Sequence, residues 1–424
     1  MDEVHGPRLR RSLGLFEATA IGLGAIIGAG VFVAIGPAVG VAGAAALVSL
    51  VIAGIVALFN SLSSAQLAAA YPVSGGTYAY GRRVINRLTG FVAGWVFVVA
   101  AVSADSAIAL AFATYLDFLI PAISPRVVAA VIALIVTALN YFGIQYSAGV
   151  NDVLVVLKVG VLIFFIILGA FFFSAARILP FAIGPFSNVL RAAAILFFAY
   201  TGYARIATLG EEVEDPERTI PRAILTALGG SAGLYLGTLL IALGLIGARG
   251  LAASDAPLST AMEATGITAG VYVISLGALV ATFSVFLTDL LGISRVVFAM
   301  ARNRDLPLWL SAVHRRYGTP HRAVFVGGIT VALLAALLPL RNLVEAGSFG
   351  LLVYYGITNL AAFLLSEEKR RYHRAWAAAG FLSCFGLALF LPWRVIGFEL
   401  LVIAVGAVCF VLIHGLSTPT RHSQ

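Results

Sequence analysis

The sequence predicts an all-α integral membrane protein of about twelve transmembrane helices, because apolar runs of helical length recur along almost the whole chain. Of the 424 residues, 61% are hydrophobic and 11% are charged, against about 45–50% apolar and about 25% charged in ordinary soluble domains. So few charged side chains cannot cover the surface of a soluble protein of this length. The 44 glycines also suit a bilayer, since small residues let helices pack closely in lipid.

Charges, prolines and glycines bound the apolar runs, which we number as segments 1 to 12. A spanning helix needs about 20 mostly apolar residues. The predicted segments cover residues 13–40, 43–70, 85–120, 126–144, 149–175, 187–213, 221–247, 267–302, 321–340, 345–366, 373–391 and 394–415. Segments 3 and 8 are long enough to tilt or to project beyond the membrane.

Basic residues fall mainly on one side of this predicted topology. With the N-terminus inside, the inner loops carry about three times as many Lys and Arg as the outer loops. This bias predicts a multi-pass protein of the cell membrane whose tails, residues 1–12 and 416–424, are both cytoplasmic. No cleavage-like region follows the basic N-terminus, so segment 1 is expected to be retained. The formal charge of +8 does not indicate a nucleic-acid partner, because the bases lie between apolar segments.

Few residues offer chemistry beyond the membrane. Cys384 and Cys409 lie in late apolar segments without a CxxC pair or a Cys/His cluster, so no disulfide, metal or cofactor is expected. The histidines lie near termini or segment ends, which disfavours a membrane enzyme. A channel is also disfavoured, because the sequence has no repeated loop that resembles a selectivity filter. A non-transporting receptor or sensor is the alternative from a different class, although no soluble signalling domain is predicted.

Small residues interrupt segments 1 and 6. The interruptions are GAIIGAGVF at 24–32 and FFAYTGYA at 197–204, five segments apart at matching points of residues 13–175 and 187–366. Paired interrupted helices in two halves of opposite topology favour inverted repeats around a transport site near the midplane, with residues 373–415 outside them. Close helix packing alone is the other explanation for the glycines.

An unwound turn inside a membrane helix has its own chemistry. It frees backbone N–H and C=O groups, which lipid cannot satisfy. The N-terminus of a half-helix favours a carboxylate, and freed carbonyls favour an ammonium. The paired interruptions therefore suit a zwitterionic ligand such as an amino acid.

Four stretches resemble the amino acid–polyamine–organocation superfamily of permeases. They are GLFEATAIGLGAIIGAGVF at 14–32, YPVSGGTYAYGRR at 71–83, FFAYTGYARIATLGEEVEDPERTIPRAI at 197–224 and GISRVVFAMARNRDLP at 292–307. The resemblance implies the five-plus-five inverted-repeat fold of leucine-transporter-like proteins, with discontinuous helices 1 and 6, and an amino-acid substrate.

The resemblance also implies a substrate site made largely of backbone. Its matching positions are Ile26, Gly28, Ala29, Gly30, Phe198 and Thr201. The N–H groups of Ala29 and Gly30 would meet the carboxylate, and carbonyls at the two interruptions would meet the ammonium. The Phe198 side chain would cover the bound substrate. We expect a broad pocket for neutral amino acids.

Lys158 lies within the apolar run of segment 5. A lysine at the bilayer centre costs roughly 2.5–3.5 kcal/mol on insertion scales, which favours a functional role. In proton-dependent relatives the resemblance implies that this ammonium replaces a sodium ion, close to the carbonyls of Gly24 and Ile27 and the hydroxyl of Ser284. The prediction is therefore proton-coupled symport. Snorkelling of Lys158 to the cytoplasmic surface, sodium coupling, and exchange of amino acids or polyamines are the alternatives.

Other charges lie inside the predicted segments. Arg205 follows the interruption of segment 6, and Asp105 and Asp289 lie in segments 3 and 8. Isolated charges would be expensive there, so we predict an ion pair between Arg205 and one aspartate, with selection of the substrate side chain as the alternative. Glu17 and the acidic run at 211–217 are either solvated or part of an inner gate.

Overall fold

The computed structural model describes residues 13–71, 75–121, 124–144, 148–179, 181, 184–203, 206 and 213–414. Within those ranges the chain is helical without a β-strand; one isolated bridge joins Leu13 to Val213. Among the described residues, seven helical stretches are long and apolar enough to cross a membrane, and three shorter apolar helices accompany them. The all-helical fold with many apolar helices is confirmed, whereas the number of spanning segments stays a prediction.

The helices are numbered here in chain order. They are α1 Leu15–Ile26, α2 Ala29–Ala42, α3 Ala46–Ala70, α4 Gly76–Val84, α5 Arg87–Leu119, α6 Pro125–Tyr141, α7 Ala148–Ala170, α8 Phe186–Phe197, α9 Pro216–Ala252, α10 Pro257–Glu263, α11 Thr268–Arg302, α12 His321–Leu337, α13 Leu340–Phe363, α14 Arg374–Ala388 and α15 Trp393–His414. Short 3-10 turns cover Gly43–Ala45, Ala175–Arg177, Phe198–Tyr203, Leu308–Ser311 and Glu367–Lys369.

Helices α13 and α5 form the centre of the bundle. In their most apolar windows 83% and 72% of residues are buried, against 17% for α15. Small residues make this packing close: a Cβ built on Gly350 of α13 would lie 2.6 Å from the Cβ of Ala100 on α5. Backbones that approach this closely gain van der Waals contact, which drives helix association in lipid.

Helix α15 shows the opposite pattern and faces outward. Its exposed large side chains include Trp393, Phe398, Leu401, Val405 and Leu412. A continuous apolar surface of this kind in water would be an aggregation or interaction surface. In a protein with so many apolar helices it fits contact with acyl chains.

Both predicted interruptions are present as non-helical or tightened backbone. Helix α1 ends at Ile26 and α2 begins at Ala29; Ile27 (φ −77°, ψ 82°) and Gly28 (φ −136°, ψ −135°) lie outside the helical region. In segment 6, α8 passes into the 3-10 turn Phe198–Tyr203. The interruptions therefore divide these two segments into shorter pieces.

The short helix α4 has no counterpart among the predicted segments, and a buried carboxylate holds it in place. Asp305, which is 2% exposed, accepts a hydrogen bond from Tyr78 Oη at 2.7 Å and pairs with Arg82 and with Arg87 Nη2, the latter at 3.0 Å. Burial, and then the bond to Asp305, raises the pKa of Tyr78 to about 12, so its hydroxyl stays a donor. The stretches at 71–83 and 292–307 therefore meet in space.

Candidate functional site

The interrupted segments 1 and 6 touch through their backbones. A Cβ built on Gly30 would lie 2.3 Å from the Cα of Ala199, and one on Gly202 would lie 2.2 Å from the carbonyl carbon of Ala25. No real side chain fits at either distance. Glycine at these two positions therefore lets the α1–α2 interruption lie directly against the 198–203 turn.

A tyrosine hydroxyl from α9 joins the two interruptions. Tyr235 Oη donates to the carbonyl of Ile26 at 2.6 Å and lies 3.2 Å from the carbonyl of Ala199. Ile26 also accepts from the N–H of Gly28 at 2.9 Å. The Ile26 carbonyl, predicted to bind an ammonium, thus already accepts two hydrogen bonds in this conformation.

The carbonyls of the 198–203 turn are occupied in a similar way. Tyr355 Oη of α13 donates to the carbonyl of Thr201 at 2.9 Å, and the Thr201 hydroxyl donates to the carbonyl of Phe198 at 3.0 Å. The Phe198 side chain is buried, with 6% exposed. Both hydroxyls take positions at carbonyls where an ammonium donor would compete.

The N-terminus of α2 is buried without a side-chain cap. Gly28 occupies the N-cap position and has no side chain to accept from the first N–H groups of the helix. Ala29 is 2% exposed, and Gly30 is also buried. The first N–H groups of a helix have no partner within it, and together with the helix dipole they favour an anion such as a carboxylate.

Lys158 on α7 lies beside this interruption on a small cavity. Its side chain is buried, at 3% exposure, and Nζ donates to the carbonyl of Gly24 at 3.1 Å. The cavity has a volume of about 50 Å³ and is lined by Ile21, Gly24, Ala25, Asn151, Lys158, Ser284, Val285 and Thr288. That volume holds a few water molecules. The ammonium therefore neighbours backbone carbonyl and polar side chains rather than lipid.

Ser284 and Ile27 were also predicted to neighbour Lys158, and the cavity lining includes Ser284 but not Ile27. Ser284 lies on the wall of the same cavity, and its hydroxyl donates to the carbonyl of Ala281 at 3.0 Å. Ile27 follows α1, and its N–H donates to the carbonyl of Leu23 at 2.7 Å. Asn151 and Thr288, which the sequence did not single out, supply further polar groups to the cavity.

The predicted intramembrane ion pair is only partly visible. Asp105 is fully buried in α5, and Asp289 is half-buried in α11, next to Thr288 of the cavity. Arg205 lies outside the described residues. Its pairing with either aspartate therefore stays a prediction.

The charged groups on the predicted cytoplasmic side connect separate elements. Glu17 is exposed at the start of α1. The carbonyl of Leu13 accepts from the N–H of Glu214 at 2.9 Å, and Glu217 pairs with Arg371 at 2.7 Å. Glu211 and Glu212 lie outside the described residues, so the inner-gate hypothesis rests on the remaining contacts.

An ion cluster on the predicted outer side joins α8 to α13. Glu345 is 3% exposed and accepts from Arg191 Nη2 at 2.8 Å and from Arg341 Nε at 3.4 Å. Sequence reasoning missed Glu345 and also Glu399, which is 1% exposed in α15. A carboxylate inside an apolar segment is the signal that could have found both. Tyr235 and Tyr355 carried no such signal, because tyrosine is common in membrane helices.

Comparisons with known proteins agree with this architecture. A family model described as amino acid permease matches residues 17–417. An uncharacterized transporter of Mycobacterium tuberculosis is 43% identical over 405 residues, covering 95% of this chain and 91% of the relative. The branched-chain amino acid permease BcaP of Bacillus subtilis is 31% identical, with 95% of this chain and 93% of the relative covered.

A third relative is named for a different substrate. A methylthioribose transporter of Bacillus subtilis is 29% identical, covering 85% of this chain and 82% of the relative. These relatives are named as transporters or permeases, and the family match extends over nearly the whole multi-helix chain. The resemblance seen in the sequence is confirmed: the chain is a multi-pass membrane protein that belongs to the amino acid permease family, within the amino acid–polyamine–organocation superfamily.

Proposed function

We propose that this protein carries amino acids across the cell membrane by alternating access, in symport with protons. Membership of a permease family supports transport, and the name of the permease BcaP supports an amino-acid substrate. The observation that carries the proposal is the buried Lys158 ammonium bound to Gly24 beside the interruption of segment 1. A proton leaving or joining that amine changes the hydrogen bonding of the same backbone that would hold substrate.

The substrate site of this proposal is the crossing of the two interruptions. The carboxylate binds the uncapped N-terminus of α2 at Ala29 and Gly30. The ammonium competes with tyrosine hydroxyls for the carbonyls of Ile26 and Thr201. An ammonium has three donors, so it replaces the neutral hydroxyls with stronger, charge-assisted bonds. Phe198 covers the substrate from the adjoining turn.

The transport cycle of this proposal uses the predicted inverted repeats, residues 13–175 and 187–366. Segments 1, 2, 6 and 7 move against segments 3, 4, 8 and 9 around the fixed site, while residues 373–415 stay outside the repeats. Both tails are cytoplasmic. The cavity beside Lys158 lies between α1, α7 and α11, where movement of α1 would widen it towards the cytoplasm.

The test is uptake into proteoliposomes, with every proteinogenic amino acid, simple polyamines and methylthioribose offered separately in sodium-free buffer. We expect neutral amino acids to accumulate when the outside is more acidic. The chain has two lysines, Lys158 and Lys369, so Lys369→Ala is the matched control. Lys158→Ala should abolish the pH-driven accumulation, and Lys369→Ala should keep it.

Each alternative gives a different result in the same assay. Uptake that requires sodium would contradict proton coupling, and uptake only against preloaded amino acid would indicate exchange. Accumulation by Lys158→Ala with unchanged pH dependence would exclude Lys158 as the coupling residue. Binding without uptake of any compound would favour a receptor, and uptake of methylthioribose alone would contradict the amino-acid substrate.

A further inference from the structure

The connection between α11 and α12, residues 302–322, carries positive charge that the rest of the protein does not neutralise. Five arginines of this 302–322 loop are exposed: Arg302, Arg304, Arg315, Arg316 and Arg322. Among the described residues none of the five forms an ion pair. The acid of the loop, Asp305, is buried and pairs with Arg87. The five guanidinium groups are therefore available to a partner.

Exposed apolar side chains lie among these charges. In the 3-10 turn Leu308–Ser311, Leu310 is 7% exposed and anchors the turn to the protein, whereas Leu308 and Trp309 are 56% and 50% exposed. Val313, just after the turn, is also 50% exposed. Tryptophan is enriched where a membrane protein meets the headgroup region, because its ring is apolar and its N–H is polar. The outer side of this turn therefore suits an interface between water and hydrocarbon.

Helix α12 shows where that interface lies. Arg322 is exposed in its first turn, and the large exposed side chains that follow it include Phe325, Val326 and Leu333. The basic loop thus ends where the apolar outer face of the helix begins. A charged group at this border lies at the level of the lipid headgroups.

Internal hydrogen bonds hold the backbone of the loop in one conformation. Thr319 Oγ1 donates to the carbonyl of Tyr141 at the end of α6 at 2.8 Å, and Arg322 Nη1 donates to the carbonyl of Trp309 at 3.2 Å. The N–H of Gly318 donates to the carbonyl of His314 at 2.9 Å. A surface that is already ordered loses little backbone entropy when it binds a partner.

Arg304 occupies a backbone conformation that favours glycine. Its φ is 61°, and it directly follows Asn303, the C-cap of α11. Helices commonly end in this left-handed conformation, and glycine is usual there because a Cβ is strained. Arginine keeps the strain and adds an exposed charge without an ion pair among the described residues. Strain that is retained in this way points to a role in binding rather than in stability.

We propose that the 302–322 loop binds the headgroups of anionic phospholipids. Guanidinium groups form paired, charge-assisted hydrogen bonds with phosphate oxygens, and all five exposed bases of the loop are arginines. Leu308, Trp309 and Val313 contact the glycerol region and the first methylenes of the same lipids. Clusters of basic residues next to a membrane helix bind anionic lipid in this way.

An acidic protein segment is the other partner with complementary charge. Lipid is favoured because the exposed side chains of the turn are apolar and because the loop continues into the apolar outer face of α12. Lipid binding at this loop is independent of the transported substrate and of the direction in which the chain crosses the membrane.

The test is native mass spectrometry of the purified full-length protein, titrated with phosphatidylglycerol and with phosphatidylcholine of the same acyl chains. We expect phosphatidylglycerol to bind more tightly. Arg304→Gly removes one charge and relieves the left-handed strain, so this variant should fold at least as well as the wild type. One basic residue near the headgroups contributes about fivefold in affinity. The dissociation constant for phosphatidylglycerol should therefore rise about fivefold, and that for phosphatidylcholine should stay unchanged.

A pair of double variants separates this loop from general attraction between charges. Arg315→Gln with Arg316→Gln should weaken phosphatidylglycerol binding about 25-fold. Arg126→Gln with Arg249→Gln, in predicted outer loops where both arginines are exposed, lowers the net charge equally and should weaken binding much less. Equal losses in the two double variants, or equal affinity of the wild type for the two lipids, would overturn the proposal. Saturable binding of polyglutamate that phosphatidylglycerol does not displace would overturn it in favour of an acidic protein partner.

Tryptophan fluorescence in lipid nanodiscs gives an independent measurement. Lipids brominated on their acyl chains quench tryptophans close to the hydrocarbon, and we expect brominated phosphatidylglycerol to quench more than brominated phosphatidylcholine. Trp309→Phe should remove this difference. Trp393→Phe is the control and should keep it, because Trp393 is 77% exposed but lies on the predicted outer side. A difference that Trp309→Phe leaves unchanged would contradict contact of the turn with anionic lipid.

Discussion

Two glycines set how closely the interrupted segments approach each other. At Gly30 and Gly202 the atom that a Cβ would strike belongs to backbone, which cannot rotate away. Gly28 differs, because its nearest atom is a side-chain methyl of Val285 rather than backbone. Among the glycines of the site, the first two are therefore the least replaceable.

Gly202→Ala should therefore disrupt the site more than an ordinary glycine substitution. Overpacking costs typically about 1–3 kcal/mol and more where backbone must move, so we expect a lower melting temperature and loss of uptake. Gly229→Ala in α9 is the control, because nothing lies within 4 Å of its added Cβ; alanine should keep uptake and slightly stabilise the helix. Normal stability and uptake in Gly202→Ala would show that the two backbones are farther apart.

Sequence reasoning singled out Lys158 but missed Glu345 and Glu399, although a membrane penalises all three charges. Lys158 was identified from its depth alone, because an ammonium in an apolar segment is costly and therefore indicates a functional role. Its contact with the carbonyl of Gly24 was predicted only from the family resemblance. The pairing of Tyr235 with Ile26 and of Tyr355 with Thr201 could not be predicted, since a hydroxyl bound to a distant carbonyl leaves no periodic pattern in the sequence.

At the scale of elements, long apolar helices were predictable and short ones were not. Segment 8 was predicted at 267–302 and α11 covers Thr268–Arg302; segment 3 was predicted at 85–120 and α5 covers Arg87–Leu119. The nine-residue α4 was not predicted because it lacks an apolar run. Tertiary contacts such as the hydrogen bond of Tyr78 to Asp305 stabilise it. Short helices are held by packing rather than by propensity.

The ion cluster between α8 and α13 is the element contact most open to test. Glu345→Gln keeps the shape but removes the charge that faces Arg191 and Arg341. We expect the free energy of unfolding to fall by about 1–3 kcal/mol, mostly through Arg191, because Arg341 is 48% exposed and exposed pairs contribute little. The measurement is thermal unfolding at low and high salt, and the difference should narrow in high salt.

The control for this substitution is an exposed pair. Asp215 and Arg218 lie 3.9 Å apart with side chains that are 59% and 79% exposed, so Asp215→Asn should change stability little. Asparagine also tolerates the positive φ of 43° at that position. If the two substitutions had equal effects, the cluster at Glu345 would be as weak as a surface ion pair.

At the scale of the whole molecule, the predicted orientation in the membrane rests on the basic loops and is independent of the site. The residues 253–256 are predicted to lie outside and the residues 364–373 inside. Both loops are described and exposed in part, at Asp255 and at Glu368. They are therefore suitable positions for single reporter thiols.

We expect a membrane-impermeant maleimide to label Asp255→Cys in intact cells, and Glu368→Cys only after permeabilisation. The background is Cys409→Ser, because Cys409 is exposed whereas Cys384 is buried. The positive-inside bias gives the physical reason for this direction. The reverse labelling pattern would invert the topology and place both termini outside.

The contact at Gly30 and Gly202 also has a mechanical consequence. Where two main chains touch without side chains between them, few atoms must be displaced when one chain rotates against the other. The α1–α2 interruption and the 198–203 turn can thus change their mutual angle at a fixed point, while Tyr235, bound to Ile26 and Ala199, limits their separation. In the proposed transport cycle, this crossing would act as a pivot that allows rocking and resists translation.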